Sequence, residues 1–332
     1  MSETYDVCIV GAGVSGLLAA RHLVANGFQV LLIDKGRGVG GRMSRRRAEQ
    51  GGFDHGAQYF TARSETFKRL VEEWEKLGVV RIWSRGFCDS SDMVREDGDP
   101  RYCGVEGMSQ IGKHLSAGLS IRTGIRIERV EISKNRWHLL STEGDLFAAQ
   151  GVLFTAPMPQ TLALMPTILE FIPRPELQKL RQIEYDPCLA VMARLEGKSK
   201  IPSPGGLWLS GEPLAWMADN TMKGVCLGDG AAVTLHAGPE FSRRHWDSDE
   251  DLVTAELCRA GELWLGNEVV ETRFHRWLYS RTRVTYPDLF YCQSVPAPLA
   301  MSGDGFGGGR VEGAALSGLA VGQALELLMK SR

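Results

Sequence analysis

An α/β fold is predicted, on three observations. Residues 5–42 read as strand, glycine turn, helix and strand. A glycine- and arginine-rich loop follows that second strand at once. Near the other end, an apolar run stops at Gly303-Asp304, and a glycine loop leads into a helix of small residues. Strands that end in glycine turns and feed helices are the building units of a parallel, Rossmann-like sheet.

The first of these segments carries the most information. Val7 to Val14, interrupted by glycines, reads as a buried parallel strand running into the turn. Gly11-Ala12-Gly13-Val14-Ser15-Gly16 follows. Leu17, Leu18, Leu23 and Val24 then recur at helical spacing, and Gly27 is placed to end that helix. Phe28 to Ile33 is the second strand, with Asp34 at its end. Gly11 permits the tight turn, Gly13 lets a pyrophosphate approach the backbone, and Gly16 lets the helix lie close to the sheet. The helix start offers free N–H groups and a positive dipole end to phosphates. Asp34 stands 18 residues after Gly16, where a carboxylate can accept hydrogen bonds from an adenosine ribose and repel a 2′-phosphate. The reading is therefore dinucleotide binding.

Composition narrows the rest. A chain of 332 residues can bury one large domain or two joined ones. A net charge of -2 gives no general field for nucleic acid. Seven cysteines without a CxxC or paired spacing argue for a reducing compartment and against a disulfide scaffold or a metal site. Glu3 and Asp6 precede the first strand, so no signal peptide is expected and a cytoplasmic location is. Leu316 to Met329 is expected to be a buried terminal helix, too short for a membrane span. Whether the chain is a monomer or a homodimer is left open.

After Asp34 come Lys35-Gly36-Arg37-Gly38-Val39-Gly40-Gly41-Arg42. Arg37 and Arg42 can reach phosphates as bidentate donors. The order of G-x-G-x-x-G, an acid and then Gly40-Gly41-Arg42-Met43 resembles the FAD-dependent amine-oxidase superfamily. The resemblance implies a glutathione-reductase-type, Rossmann-like FAD-binding domain with an antiparallel-sheet substrate domain, as in amine oxidases. It implies that Gly11, Gly13, Ser15, Gly16, Asp34, Lys35, Arg37, Gly40, Gly41, Arg42 and Met43 contact FAD. Asp34 replaces a more common glutamate there but keeps the carboxylate.

The remaining chain is taken in order. Arg45 to Arg47 read either as a solvated loop or as a basic rim for a phosphorylated substrate. Phe53 to Phe60 is too irregular for a helix. In the superfamily its equivalent lies against the flavin, so Gln58 and Tyr59 are expected to line the ring cavity. Residues 64–78 form an amphipathic helix with Phe67, Leu70, Val71, Trp74 and Leu77 inward. Val79 to Phe87 is a strand, and Asp89 to Arg101 is polar and turn-like. A helix begins near Ser109. Ile121 to Ile127 and Glu131 to Leu140 alternate as strands, and Val152 to Thr155 returns to the nucleotide sheet. Leu189 to Leu195 and Gly206 to Ser210 are short strands, and Trp216 to Lys223 reads as a turn. Val225 to Gly228 and Ala232 to Ala237 are expected to pair. A helix runs from about Asp249 to Gly261, and Val269 to Trp277 is a strand. At the end, Asp304 can meet the ribityl or pyrophosphate region, and the helix start around Val311 and Gly313 can face the flavin pyrimidine. Tyr291-Cys292 lacks the surroundings of a covalent flavin site, so noncovalent FAD is expected.

These assignments divide the chain into FAD-binding segments 1–80, 106–160 and 286–332, and substrate-domain segments 81–105 and 161–285. The compact length and the segments DHGAQYF, VEGMS, FSRRHW, HRW and GDGF together resemble the renalase family. That resemblance implies oxidation of 2- and 6-dihydro isomers of NAD(P) to NAD(P)+. Hydride passes to flavin N5, and molecular oxygen takes the electrons and leaves as hydrogen peroxide. The donor has no ammonium to deprotonate, so no obligatory base is expected, and the dinucleotide supplies orientation. Tyr59, Trp246 and Trp277 are candidate cavity walls, with His275 beside Trp277 at strand spacing. Gln58 is a candidate partner for a carboxamide, and His245 for the nicotinamide or ribose. Arg243, Arg244 and Arg281 are candidates for substrate phosphates. The alternatives are an oxidase of small amines and a non-catalytic flavin-binding redox protein. No nucleic-acid or membrane partner is expected.

Overall fold

The computed structural model describes residues 4–48, 51–89 and 94–331. In chain order they form β1 (Thr4–Val10), α1 (Val14–Ala25), β2 (Val30–Asp34), β3 (Arg45–Ala48), β4 (Gly51–Asp54), α2 (Glu65–Lys76), β5 (Val80–Asp89), β6 (Val94–Gly104) and α3 (Ser109–Ser116). Next are β7 (Ser120–Thr123), β8 (Ile127–Ser133), β9 (Arg136–Ser141), β10 (Leu146–Phe154), α4 (Met158–Leu164), α5 (Arg174–Arg181), β11 (Glu184–Leu195), β12 (Gly206–Trp208), β13 (Leu214–Asp219) and β14 (Ala232–Ala237). The chain finishes with α6 (Pro239–Arg244), α7 (Glu250–Ala260), α8 (Glu262–Leu265), β15 (Val269–Val284), β16 (Tyr291–Gln293), β17 (Leu299–Met301) and α9 (Arg310–Lys330).

Two units result. The first contains the residues up to Gly41, Ile111–Glu184 and those from Thr282 onward; the second contains Arg42–Gln110 and Tyr185–Arg281. Segment 42–80 thus folds with the second unit, whereas the sequence boundaries place it with the nucleotide-binding part. Within it, Phe53 packs on Met192 and Ala232, Thr234 Oγ1 donates to the Asp54 carbonyl, and Phe60 bridges to Tyr102, all residues of the second unit. Likewise 161–184 belongs to the first unit, where α4 packs on β8 and α5 on α4.

The first unit is a Rossmann-like α/β layer. Its sheet runs β16-β17-β10-β1-β2-β7, with β9 on β10 and β8 on β9. The β17-β10-β1-β2-β7 run is parallel throughout. Val7, Cys8, Ile9, Leu31, Leu32 and Ile33 are buried, the near-continuous apolar run of a strand covered on both faces. Helices α1 and α9 pack together because glycines let their backbones meet. A Cβ on Gly318 would stand 2.4 Å from the Ser15 carbonyl oxygen, and one on Gly322 would stand 3.2 Å from Ala19 Cα. Helix α9 begins at Arg310, next to the start expected around Val311, and is 21 residues long, with the apolar run from Leu316 to Met329 inside it. It is long and apolar enough by length and composition to cross a membrane, but half of its apolar window is buried inside the fold.

The second unit carries a seven-stranded sheet, β15-β11-β14-β13-β12-β5-β6. Several expectations fail within it. Trp216 to Asp219 belong to β13, because Trp216 and Ala218 find ladder partners in His236 and Thr234. Val225 to Gly228 form no strand; the Val225 and Cys226 amides bond instead to the Asn220 carbonyl. The polar stretch after Asp89 becomes β6 from Val94, paired back on β5 with irregular register; the Ser90–Met93 part of that expectation lies outside the described residues. Nor is Arg45 to Arg47 a loop. It is β3, paired with β4, and the Arg45 guanidinium bonds the carbonyls of Glu106 and Val225. Helix α2 matches its periodicity: Ser64 caps it, and Phe67, Val71 and Trp74 are buried. Leu77 falls just past its end and is exposed.

Candidate functional site

In the first unit, the turn after β1 is built from glycines with distinct duties. Gly11 has φ +115° and its Cβ would stand 2.4 Å from Thr155 Oγ1. A Cβ on Gly16 would stand 2.2 Å from the Gly11 carbonyl oxygen. Gly13, the N-cap of α1, differs: a Cβ there meets nothing within 4 Å. Two glycines are needed by the protein's own packing, and the third borders open space at a helix N-terminus. Such a place suits an anion, since the first N–H groups of a helix lack intrahelical acceptors.

The surrounding residues brace this turn. Asp34 accepts the Ala12 amide at 2.6 Å on one carboxylate oxygen and the Gly36 amide at 2.6 Å on the other. Each oxygen keeps a further lone pair for a ribose hydroxyl. The Gly40 amide donates to the Ala12 carbonyl at 2.8 Å, folding the glycine-arginine loop back over the turn. Gly41, at φ +56°, lies beside that turn: a Cβ on it would stand 3.4 Å from Gly13 Cα. Ser15 Oγ lies 2.8 Å from Ser302 Oγ, joining the start of α1 to the end of β17. Buried Asp304 accepts from Thr282 Oγ1 at 2.6 Å, and Gly307 and Gly313 press together at the start of α9, beside Val311. Lys35 Nζ reaches Gln160 at 3.3 Å, and Arg37 is exposed.

Arg42 and Met43 fall in the second unit. Met43 is buried, and Arg42 donates to the Tyr279 carbonyl at 3.0 Å. The two faces of the second unit's sheet differ. On one face lie Met217, Leu235, Val233 and Leu207, packed with Phe241, Val253, Leu257 and Leu265 of the covering helices. On the other lie Trp216, Ala218, Thr234 and His236, since residues directly opposite in register share a face. The segment from Phe53 to Tyr59 covers that second face. Thr234 Oγ1 donates to the Asp54 carbonyl at 2.9 Å, and Phe53 packs on Met192 and Ala232.

Two ring clusters form on this covered face. In the first, the His55 carbonyl accepts His236 Nε2 at 3.0 Å and Trp277 Nε1 at 2.9 Å. A carbonyl only accepts, so Nε2 of His236 carries the proton. His275 stands 4.9 Å from His55 and 4.3 Å from Trp277, centroid to centroid. The imidazoles are held neutral. Burial, then His275, His236 and Arg46, pushes His55 down to about 3. Burial pushes His236 down to about 4, and burial and Arg46 lower His275. In the second cluster, Tyr59 sits 5.1 Å from Phe87, 5.8 Å from Trp216 and 6.3 Å from Trp83. Gly56 is required between them, because a Cβ would stand 2.0 Å from the Arg42 carbonyl oxygen and 3.3 Å from Trp277.

Gln58 is buried, and its amide donates to the carbonyls of Asp54 and Gly56. Those acceptors fix which end is nitrogen, and the other end, Oε1, has no partner among the described residues. The remaining sequence candidates lie elsewhere. Trp246 packs against the helix-covered core, and His245 stacks on Phe241 at 4.3 Å, so neither joins Trp277 and Tyr59. Arg243 is exposed and paired with Asp186 and Glu240, and Arg244 and Arg281 are exposed. Sequence reasoning missed Trp216, Trp83 and the pair Asp54–Lys223. The pair is separated by 169 positions and has no local signature.

Comparison with known proteins adds the following. Residues 9–74 match the NAD(P)-binding Rossmann-like domain profile, and residues 79–325 match the profile of flavin containing amine oxidoreductases. Renalase of Mus musculus is 25% identical over 336 residues, covering 96% of this chain and 98% of that protein. Cyclohexylamine oxidase from Brevibacterium oxydans is similar in structure, with a TM-score of 0.72 over 98% of this chain and 99% of that one, at 14% identity. Putrescine oxidase bound to putrescine has a TM-score of 0.70 over 98% and 100%, also at 14%. At such identity the two structures speak to the fold alone.

Proposed function

The chain belongs to the flavin containing amine oxidoreductase family and is an FAD-dependent oxidoreductase, and from that premise we propose that it oxidises 2- and 6-dihydro isomers of NAD(P) to NAD(P)+. Bound FAD supplies the hydride acceptor and delivers the electron pair to oxygen, which leaves as hydrogen peroxide. The first unit fits that cofactor: Gly13 borders the open space that a pyrophosphate needs, and Asp34 retains acceptor capacity for a ribose.

One observation carries the choice of substrate. The buried Oε1 of Gln58 lacks a partner among the described residues, and leaving a buried acceptor unmade costs about 1–3 kcal/mol. A carboxamide N–H is the complementary donor, and the reduced nicotinamide ring bears one. The neighbouring imidazoles of His55 and His236 are neutral at physiological pH, and the chemistry asks no more of them. A dihydropyridine gives up hydride without first losing a proton, so packing, stacking and hydrogen bonding suffice. The end-to-end likeness to renalase supports the same reading.

A second reading, oxidation of a small amine, is favoured by the packed Tyr59, Phe87, Trp83 and Trp216 rings, an apolar surface suited to an alkyl chain. The match to the profile of flavin containing amine oxidoreductases accords with it too. Anaerobic stopped-flow absorbance separates the readings. The holoenzyme is mixed separately with 2-dihydro-NAD, 6-dihydro-NAD, ordinary NADH and an arylalkylamine. Rapid bleaching by the dihydro isomers with release of NAD+ is expected. Bleaching by the amine alone moves the assignment to the second reading.

A further inference from the structure

Lys223 is a buried charge that the chemistry above does not use. Its side chain and that of Asp54 are both 0% exposed, with Nζ 2.7 Å from Oδ2. An ammonium has three N–H donors. One goes to Asp54, one to the Gln58 carbonyl, and the ammonium lies 4.7 Å from the Trp83 ring centroid, where a cation is attracted to the ring face. Asp54 is equally committed. Its second oxygen accepts the Met108 amide at 2.9 Å, its own amide donates to Asn220 Oδ1 at 3.0 Å, and its carbonyl accepts Thr234 and Gln58. The Lys223 carbonyl is held in turn by Arg81.

A buried ion pair is a poor source of stability, because desolvating both charges offsets their attraction. What this pair does have is direction. It binds β4, the loop after β13 and the carbonyl of Gln58 to one point. That carbonyl belongs to the peptide that leads into Tyr59. We propose that Lys223, oriented by Asp54, is a positioning residue that sets the Gln58–Tyr59 peptide, and through it the Gln58 amide and the Tyr59 ring that meet the substrate. Without the ammonium, the Gln58 carbonyl loses its donor and the peptide can rotate. The inference holds for whichever donor reduces the wild-type flavin, so it does not fall with the dihydro-NAD reading.

The test compares the FAD-loaded wild type with Lys223→Met, Asp54→Asn, Lys223→Arg and the double variant Lys223→Met/Asp54→Asn. Single variants strand a buried partner and can fail to fold, so the double variant decides. Its thermal midpoint and flavin content are expected to stay near wild type. Its KM for the wild-type donor is expected to rise about tenfold or more, in line with the cost of misplacing a contact by about 1 Å. Amide exchange is expected to quicken in the peptide spanning residues 55–60 and not elsewhere. Lys223→Arg, which keeps the donor, is expected to recover part of the KM. A double variant with wild-type KM and unchanged exchange at 55–60 overturns the proposal. So does a loss of activity that only tracks a loss of folded, flavin-loaded protein.

Discussion

Trp277 Nε1 donates to the His55 carbonyl at 2.9 Å, tying the edge strand β15 to the segment that covers the second unit's sheet. Trp277→Phe keeps the ring but removes the donor, and leaves His236 to hold that carbonyl alone. A stability loss of about 1 kcal/mol is expected, the usual net worth of one hydrogen bond. Turnover is expected to fall as the His55–Gly56 peptide loosens. Thermal melts and steady-state kinetics on the purified variant check both.

The glycines of the first turn separate folding from binding. Gly11→Ala sets a Cβ 2.4 Å from Thr155 Oγ1 at a φ that L residues avoid. It is expected to destabilise the fold by about 1–3 kcal/mol. Gly13→Ala meets no protein atom within 4 Å. Its apoprotein is expected to melt like wild type while FAD binding weakens about tenfold, or roughly 1.4 kcal/mol. Titration of apoprotein with FAD reads the difference.

Stability should depend on pH through the buried imidazoles. His55 and His236 fall from 6.5 to about 3 and about 4 on folding. Below 6.5 the unfolded chain therefore takes up protons that the folded chain refuses, and stability drops with falling pH. The contribution is complete above 6.5 and is lost progressively toward 4 and then 3. Melting temperature is expected to decline by several degrees across that window. His236→Gln, which retains a donor for the His55 carbonyl, is expected to flatten the decline.

Gln58→Met removes the free acceptor along with two amide hydrogen bonds. A carboxamide-bearing donor is expected to suffer in kcat/KM by about tenfold or more relative to an analogue lacking that group. An equal loss for both donors would leave Gln58 a structural role only.

The nucleotide-binding half was legible because its chemistry is local. Gly11, Gly13 and Gly16 stand within six residues of one another, and the demands on them are backbone demands that sequence spacing exposes. The covered face of the second sheet was not, because strand register assembles it. His275 and Trp277 were readable as neighbours from alternation within one strand. That Trp216 faces His236 follows only from the pairing of β13 with β14. Asp219, Asn220 and Thr221 gave that stretch the polarity of a turn, yet Asp219 ends a strand and Asn220 turns its amide inward to Thr234. His245 and Trp246 misled for the complementary reason. A His-Trp pair after two arginines looks reactive, and only the packing on Phe241 and the helix-covered core assigns it there.

The seating of Gly318 and Gly322 against α1 also orders the protein's synthesis. Helix α1 is synthesised long before α9 and waits for it. The second unit has all its segments once Arg281 is out, so it can fold while the first still lacks β16, β17 and its longest helix. Domains fold as units during translation. The Ser15–Ser302 contact that joins α1 to the end of β17 is consequently a late event in the life of the nascent chain. Until then the Ser15–Ala19 face of α1 is without the helix that covers it.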